Sequence, residues 1–343
     1  MKTVGFYPAH PSQVWMMKAL AEDAPKDVCI KWYARDKDVC LGLMQELNID
    51  FRFMSVASSG IFGNGLELLG SIPKFLAATK RDNIDLWLSK YGAVNFSAWI
   101  LGKKNISFND DDADVVPFIA RSSYPFANKV LCTEWTRMGA FERKAHRYTS
   151  LHELFYLHPK RFKAKKDEFL LPAKGKPYVL IRLSSLKAHH DLNEKGMTDS
   201  ALINVINALE SEYSVFISAE KTLRPEFEPY RLAIPVSKIH HCLAGASLVI
   251  GDSQTMVAEA AVLGVPAVRV SSFMGRLSYI EELERRGLCF SLSPDDIDKL
   301  PGLVRSVIEI APDEIYQRRQ RLLQETEDPV EFFWNEIMQE LSS

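Results

Sequence analysis

The chain has little that would tie it to a membrane, to nucleic acid or to a metal. Its five cysteines, Cys29, Cys40, Cys132, Cys242 and Cys289, are odd in number, scattered and never set in a C-x-x-C pair. That argues against a disulfide framework and a thiolate zinc site, and fits reduced thiols. No apolar run reaches the length of a membrane span, and "MKTVGFYPAHPSQVW" is broken by His10, Ser12, Gln13 and two prolines before a signal-peptide stretch can form. A cytoplasmic protein without an integral membrane segment is therefore expected. Net charge is also missing: 42 Lys plus Arg against 44 Asp plus Glu leave −2, so no overall field recruits nucleic acid and an anionic ligand needs a local site. The basic run "KRFKAKK", Lys160 to Lys166, reads as a solvated linker that could also meet a lipid phosphate, a peripheral contact at most. His146, His152 and His158 are spaced by six and no H-E-x-x-H occurs, so no metal is expected. The acidic run "FNDDDADVV" has Val115 where an EF-hand needs glycine and Arg121 where it needs glutamate, which excludes that calcium loop.

What is present is an α/β alternation, met twice. With 343 residues and 47% hydrophobic content, the length favours two domains. Strand-like "KTVGFYP", "DVCIKWYAR" and "IDFRFMSV" alternate with helical "SQVWMMKALAED" and "KDVCLGLMQEL". "DLWLSKY", "NISFND" and "KVLCTE" continue the series, which implies βαβ units and parallel sheets. "SSGIFGNG" reads as a mobile glycine-rich loop, and Pro73 as a kink or break in the helix that follows. The pattern breaks near residue 170 and resumes at "YVLIRL", "SVFISAE", "LVIG" and "GLCFSLS", so domains at 1–170 and 171–343 are expected. The tail "DPVEFFWNEIMQELSS" predicts a helix with Asp328 as N-cap, Pro329 in first position, and Val330, Phe333, Trp334, Ile337 and Leu341 on one side.

The most informative stretch is "LVIGDSQTMVAEAAVLGVPAVRV", Leu248 to Val270. A strand ending at Gly251 and a helix starting near Gln254 make Ser253 an N-cap. The N–H groups of Gln254, Thr255 and Met256, at the positive end of the helix dipole, then form an anion site. Glu259, four residues beyond Thr255, can face the same side and accept from ribose hydroxyls. A bare capped turn would look the same.

This stretch resembles the "DSGG-x-x-EE-x-x-x-LG-x-P" pattern of UDP-N-acetylglucosamine 2-epimerases through Asp252, Ser253, Glu259, Leu263, Gly264 and Pro266. It departs at Gln254, Thr255 and Ala258. Most of the chain, Val4 to Phe290, is similar to the predicted glycosyltransferase-like family called domain of unknown function 354. Its motifs here are "ISFNDDDADVVPFIARSSYPFANKVLCTE", "YVLIRLSSLKAHHDLNEKGM" and "RRGLCF". That resemblance implies a GT-B fold: two Rossmann-like open parallel-sheet domains facing across a cleft, acceptor side first and nucleotide-sugar side second, with the C-terminal helix packing back. It implies a nucleotide sugar, a UDP-sugar foremost, as donor and a glycan or lipid-linked acceptor as partner.

The resemblance also directs attention to further side chains. Arg182, His190 and Asp191 match a family loop "R-x-x-x-x-x-A-x-H-D". Arg182 could clamp phosphate, and His190 could move a proton with Asp191 orienting it. Asp110 or Asp112 is a candidate base, with helix capping as the alternative. His10 is the titratable residue of the first loop, where Gln13 and Trp15 replace two family histidines. Glu220, at a strand end, could touch base or sugar, and His240 or its neighbour His241 could stack on the base. The expected activity is a GT-B glycosyltransferase in bacterial surface polysaccharide or glycoconjugate assembly, independent of metal. A 2-epimerase or hydrolase using Asp110, Asp112 and Glu220, or a non-catalytic nucleotide-sugar-binding protein, stands as the alternative.

Overall fold

A computed structural model describes residues 1–37, 39–57, 60–165, 176–184, 197–219 and 222–343, with the side chains of 60–62 left out. The chain divides into two compact units, Met1–His158 with Thr326–Ser343, and Pro159–Glu325.

The first unit is a seven-stranded, all-parallel sheet of β1 (Lys2–Phe6), β2 (Val28–Asp36), β3 (Phe51–Val56), β4 (Leu86–Leu88), β5 (Lys104–Asn109), β6 (Lys129–Thr133) and β7 (Ala145–Tyr148). Its order is β3-β2-β1-β4-β5-β6-β7, the doubly wound arrangement that reverses direction between β1 and β4. Tyr7, Tyr33, Phe75 and Trp87 fill one face of it.

The second unit has β8 (Tyr178–Leu183), β9 (Ser214–Ala219), β10 (Leu248–Gly251), β11 (Ala267–Val270) and β12 (Cys289–Leu292), again all parallel. The order β12-β11-β10-β8-β9 reverses between β8 and β10. Alternate residues Val179, Ile181, Ile217, Ile250, Val268 and Val270 point into one core against helices Asp199–Leu209 and Leu300–Ile308. Parallel strands covered on both faces explain why "LVIG" and "AVRV" are such short, dense apolar runs.

Three expectations are corrected. The tail belongs to the first unit, not to a domain 171–343, and the break falls after His158 rather than near 170. The reason is packing. Helix Pro329–Ser342 buries Val330, Phe333, Trp334, Ile337 and Leu341 as its spacing predicts, with Asp328 accepting from the Val330 N–H (3.1 Å). The complementary surface lies in the first unit: Phe333 meets Phe155 edge-on at 4.6 Å, and Trp334 Nε1 donates to Leu20 O (2.9 Å). The glycine-rich stretch is no loop from Gly60 onward but the start of helix Gly60–Arg81. That helix runs through Pro73 unbroken. Leu69 and Pro73 both lie on its exposed side, so the carbonyl that proline leaves without a donor turns to water.

Candidate functional site

In an open α/β sheet, ligands bind outside the carboxyl ends of the strands where the order reverses. In the second unit that point lies between β8 and β10, the strands that end in Arg182-Leu183 and Gly251. The expected turn is there. Ser253, with φ −89 and ψ 118, occupies the N-cap position of helix Gln254–Leu263, although its side chain makes no capping bond. The first intrahelical bond is Val257 N–H to Ser253 O (3.3 Å), so the N–H groups of Gln254, Thr255 and Met256 open on the strand ends. Ser253, Gln254 and Thr255 are half-exposed, accessible to a ligand.

Asp252 is a brace at this site, buried, with its Oδ1 accepting the Ser184 N–H (2.6 Å) and its own N–H donating to Arg182 O (3.3 Å). It ties together the two loops that follow β8 and β10. A carboxylate so placed repels phosphate, so its part in binding an anion is to hold the backbone. Arg182 is half-buried, and its Nη1 donates to Ser218 Oγ on the adjacent β9 (2.8 Å). Gly251 is required for closeness: a Cβ there would stand 2.8 Å from Arg182 O.

Glu259 is not solvated. It is buried, and His240 Nε2 lies 3.1 Å from its Oε1, from helix Ile239–Gly245. The pair fixes the carboxylate one turn behind the anion turn. The expected stacking surface on His240 and His241 is taken by Phe162, edge-on to His240 at 6.2 Å and tilted over His241 at 4.9 Å. The Lys165 N–H donates to His241 Nδ1 (3.1 Å), which pins this segment down. His190, Asp191 and Glu220 lie outside the described residues.

The first unit gathers different chemistry at its own reversal, between β1 and β4. His10 is extended (φ −153) and caps helix Pro11–Glu22: its Nδ1 accepts the Ser12 N–H (3.3 Å) and lies 2.8 Å from Ser12 Oγ. Gln13 Oε1 accepts the Ala9 N–H (2.9 Å), and Trp15 stacks on Tyr156 at 6.4 Å. Asp112 is corrected from base to brace. It is wholly buried, takes the Arg137 N–H (2.6 Å) and pairs with Arg137 Nη2 (2.7 Å), which leaves it no access to a substrate hydroxyl. Asp110 faces Lys90 at 3.9 Å. Burial pushes its carboxyl up, but His152 and Lys90 outweigh that and hold it below the usual range, ionised and a poor proton acceptor. Lys90 also reaches Asp111 (3.8 Å) and Asn109 Oδ1 (3.0 Å).

Two residues were missed. Lys90 carries the signal of a cation directly after a strand in "LWLSK"; Arg269 is a guanidinium inside the apolar run "PAVRV". Among the described residues no group of three or more His, Cys, Asp or Glu could hold a metal ion, and no helix is long and apolar enough to cross a membrane.

No family model matches the chain, and no curated protein does. Solved structures do. UDP-GlcNAc 2-epimerase from Neisseria meningitidis, bound to UDP-GlcNAc, is 10% identical over 99% of this chain and 100% of its own, with a TM-score of 0.68. The spinosyn forosaminyltransferase SpnP is 12% identical over 100% of both chains, with a TM-score of 0.64. MurG of Acinetobacter baumannii is 16% identical over 99% of this chain and 100% of its own, with a TM-score of 0.59. At these identities the likeness is one of fold, and the fold of this chain is GT-B, two Rossmann-like units of seven and five parallel strands.

Proposed function

We propose that this protein is a GT-B glycosyltransferase that takes a nucleotide-diphosphate sugar, a UDP-sugar in the first instance, and transfers the sugar to a glycan or lipid-linked acceptor. The wider family resemblance, a cytoplasmic site of action and a role in bacterial surface polysaccharide or glycoconjugate assembly are part of this proposal. The observation that carries it is the second unit's reversal point, where the N–H groups of Gln254, Thr255 and Met256 open beside Arg182 on the next strand. A leaving diphosphate develops negative charge as the glycosidic bond breaks. Backbone donors, the helix dipole and a guanidinium fixed in advance stabilise that charge without reorganising. In this reading Glu259, oriented by His240, accepts from the ribose, and the proton of the acceptor hydroxyl goes to His190, with Asp191 orienting it. Asp110, held ionised beside Lys90, contributes charge rather than base strength.

The test is a thermal-shift screen against UDP, GDP, CDP, ADP and dTDP and their sugars in chelator, repeated on Glu259→Ala. A shift selective for one diphosphate and lost in the variant supports the reading. Silence toward all five would end it. A second reading, sugar-nucleotide 2-epimerase, is favoured by the Asp252, Ser253, Glu259 and Pro266 pattern and by the Neisseria neighbour. It requires conversion of a UDP-sugar with no acceptor present.

A further inference from the structure

Strand register places an arginine on each side of Gly251. Gly251 pairs with Arg182 of β8 on one side and with Arg269 of β11 on the other, while Ser218 flanks Arg182 and Ser291 flanks Arg269. Residues paired in this way point to one face, so Ser218, Arg182, Gly251, Arg269 and Ser291 form a polar row across the whole sheet. That face is opposite the one carrying Ile217, Ile181, Ile250 and Val268 into the core. The row lies at the carboxyl end, directly below the Asp252-Ser253 turn.

Arg269 is the unexpected member. It is 1% exposed, forms no ion pair among the described residues, and its Nε has no hydrogen-bond partner among them. Its one described bond, Nη2 to Ser271 Oγ (3.0 Å), is made beyond the end of β11, so the side chain runs toward the edge where helix Gln254–Leu263 begins. Burial pulls its pKa down, and Tyr279, Cys289 and Glu284 oppose that only in part. A buried guanidinium held in no ion pair, with Glu284 offsetting only part of its burial, is costly to fold. Structural need does not account for it, because an apolar residue would fill "PAVRV" as its neighbours do. A ligand anion held at the turn would supply the missing charge.

We propose that Arg269 is the buried half of an arginine pair with Arg182, split by Gly251, whose combined charge makes the Ser253 turn a diphosphate site rather than a monophosphate or nucleoside site. This rests on the nucleotide-sugar reading for the identity of the diphosphate. Arg269 acts through space and by holding Ser271, whose Oγ also accepts the Phe273 N–H (3.2 Å), so it is a positioning residue.

The experiment compares the full chain with Arg269→Met and Arg269→Lys by melting and by titration with uridine, UMP, UDP and inorganic pyrophosphate. The ligand-free Met variant is expected to melt at or above the wild-type temperature. It should bind UDP and pyrophosphate at least tenfold more weakly while keeping its affinity for uridine, and Lys should recover part of the loss. Wild-type diphosphate affinity in the Met variant would overturn the proposal, as would an equal loss for uridine and UDP. Glu284→Gln should leave UDP affinity unchanged or raised; a tenfold loss would make Glu284 and Arg269 a structural pair instead. Protection by pyrophosphate that needs Arg269, with no response to any nucleotide, would retain the arginine pair and remove the nucleotide-sugar reading. Nucleotide protection indifferent to Arg269 would do the reverse. No protection by any anion would remove both.

Discussion

The two sheets share an architecture and differ in charge at their carboxyl edges. At the first edge cations sit with carboxylates: Arg35 forks onto Glu67, Lys90 faces Asp110 and Asp111, and Arg137 holds Asp112. At the second edge Arg182 and Arg269 stand either side of Gly251 beneath a helix N-terminus, and among the described residues Arg269 has no carboxylate within ion-pair distance. A compensated edge stabilises a fold and offers little to a charged ligand. An edge that holds a buried arginine outside any ion pair, even with Asp252 bracing the turn, suits an anion better, which is why the proposed diphosphate site is placed in the second unit. This assignment follows from the charges, since the same fold serves many chemistries.

The sharpest way to break the comparison is to remove compensation where it exists. Arg35→Met leaves Glu67 buried without its partner beside Tyr7 and Ser55, and should cost about 3–5 kcal/mol in urea unfolding. Nucleotide binding by the folded fraction should not change; a loss below about 1 kcal/mol would mean the first edge is not the compensated one. The next effect in size is at the other edge. Gln254→Pro removes one N–H at the first helical position, where proline fits and Ser253 already has the extended backbone that precedes it. Stability should stay within about 0.5 kcal/mol. Titrated UDP affinity should fall by the contribution of one bond to a charged group, about 1.5–3 kcal/mol. Unchanged affinity would mean these donors do not face the diphosphate. Glu259→Ala, third, strips a buried partner from His240, about 1–3 kcal/mol of stability. It should abolish the response to uridine while sparing pyrophosphate, which Gln254→Pro should do the other way round.

How much of this could be read in the sequence depends on how local each cause is. The tail helix and the turn at Ser253 were legible because cap, period and glycine lie within one element: Asp328 and Pro329 start a helix wherever it packs. Where it packs was not legible, since the aromatic surface for Phe333 is built from Tyr148 and Phe155 far upstream. The site shows the same division. Ser253, Gln254 and Thr255 are found at a strand-to-helix turn from "GDSQT" alone. Glu259's partner His240 and Arg269's place across from Gly251 exist only once helices pack and strands pair. His10 shows the same division: a histidine before Pro-Ser can serve as a cap, a use of its Nδ1 on the Ser12 backbone that only the folded helix start makes visible.

The smallest effect tests whether the first edge is compensated at Asp110, which faces Lys90. Burial raises the Asp110 carboxyl, and the charges of His152 and Lys90 lower it by more, so its folded value lies below the ordinary one of about 3.9. A group depressed in this way adds stability that is fully present above the unfolded value and is lost as pH falls through the folded one, because the unfolded chain takes up its proton first. Unfolding free energy measured from pH 7 downward should therefore place wild type above Asp110→Asn near neutrality. The two curves should converge below about pH 4 as wild type protonates. A gap that stays constant or widens in acid would show that Lys90 and His152 do not hold Asp110 ionised. Asp110 would then return as a proton acceptor, and the first edge would carry catalytic chemistry in place of compensation.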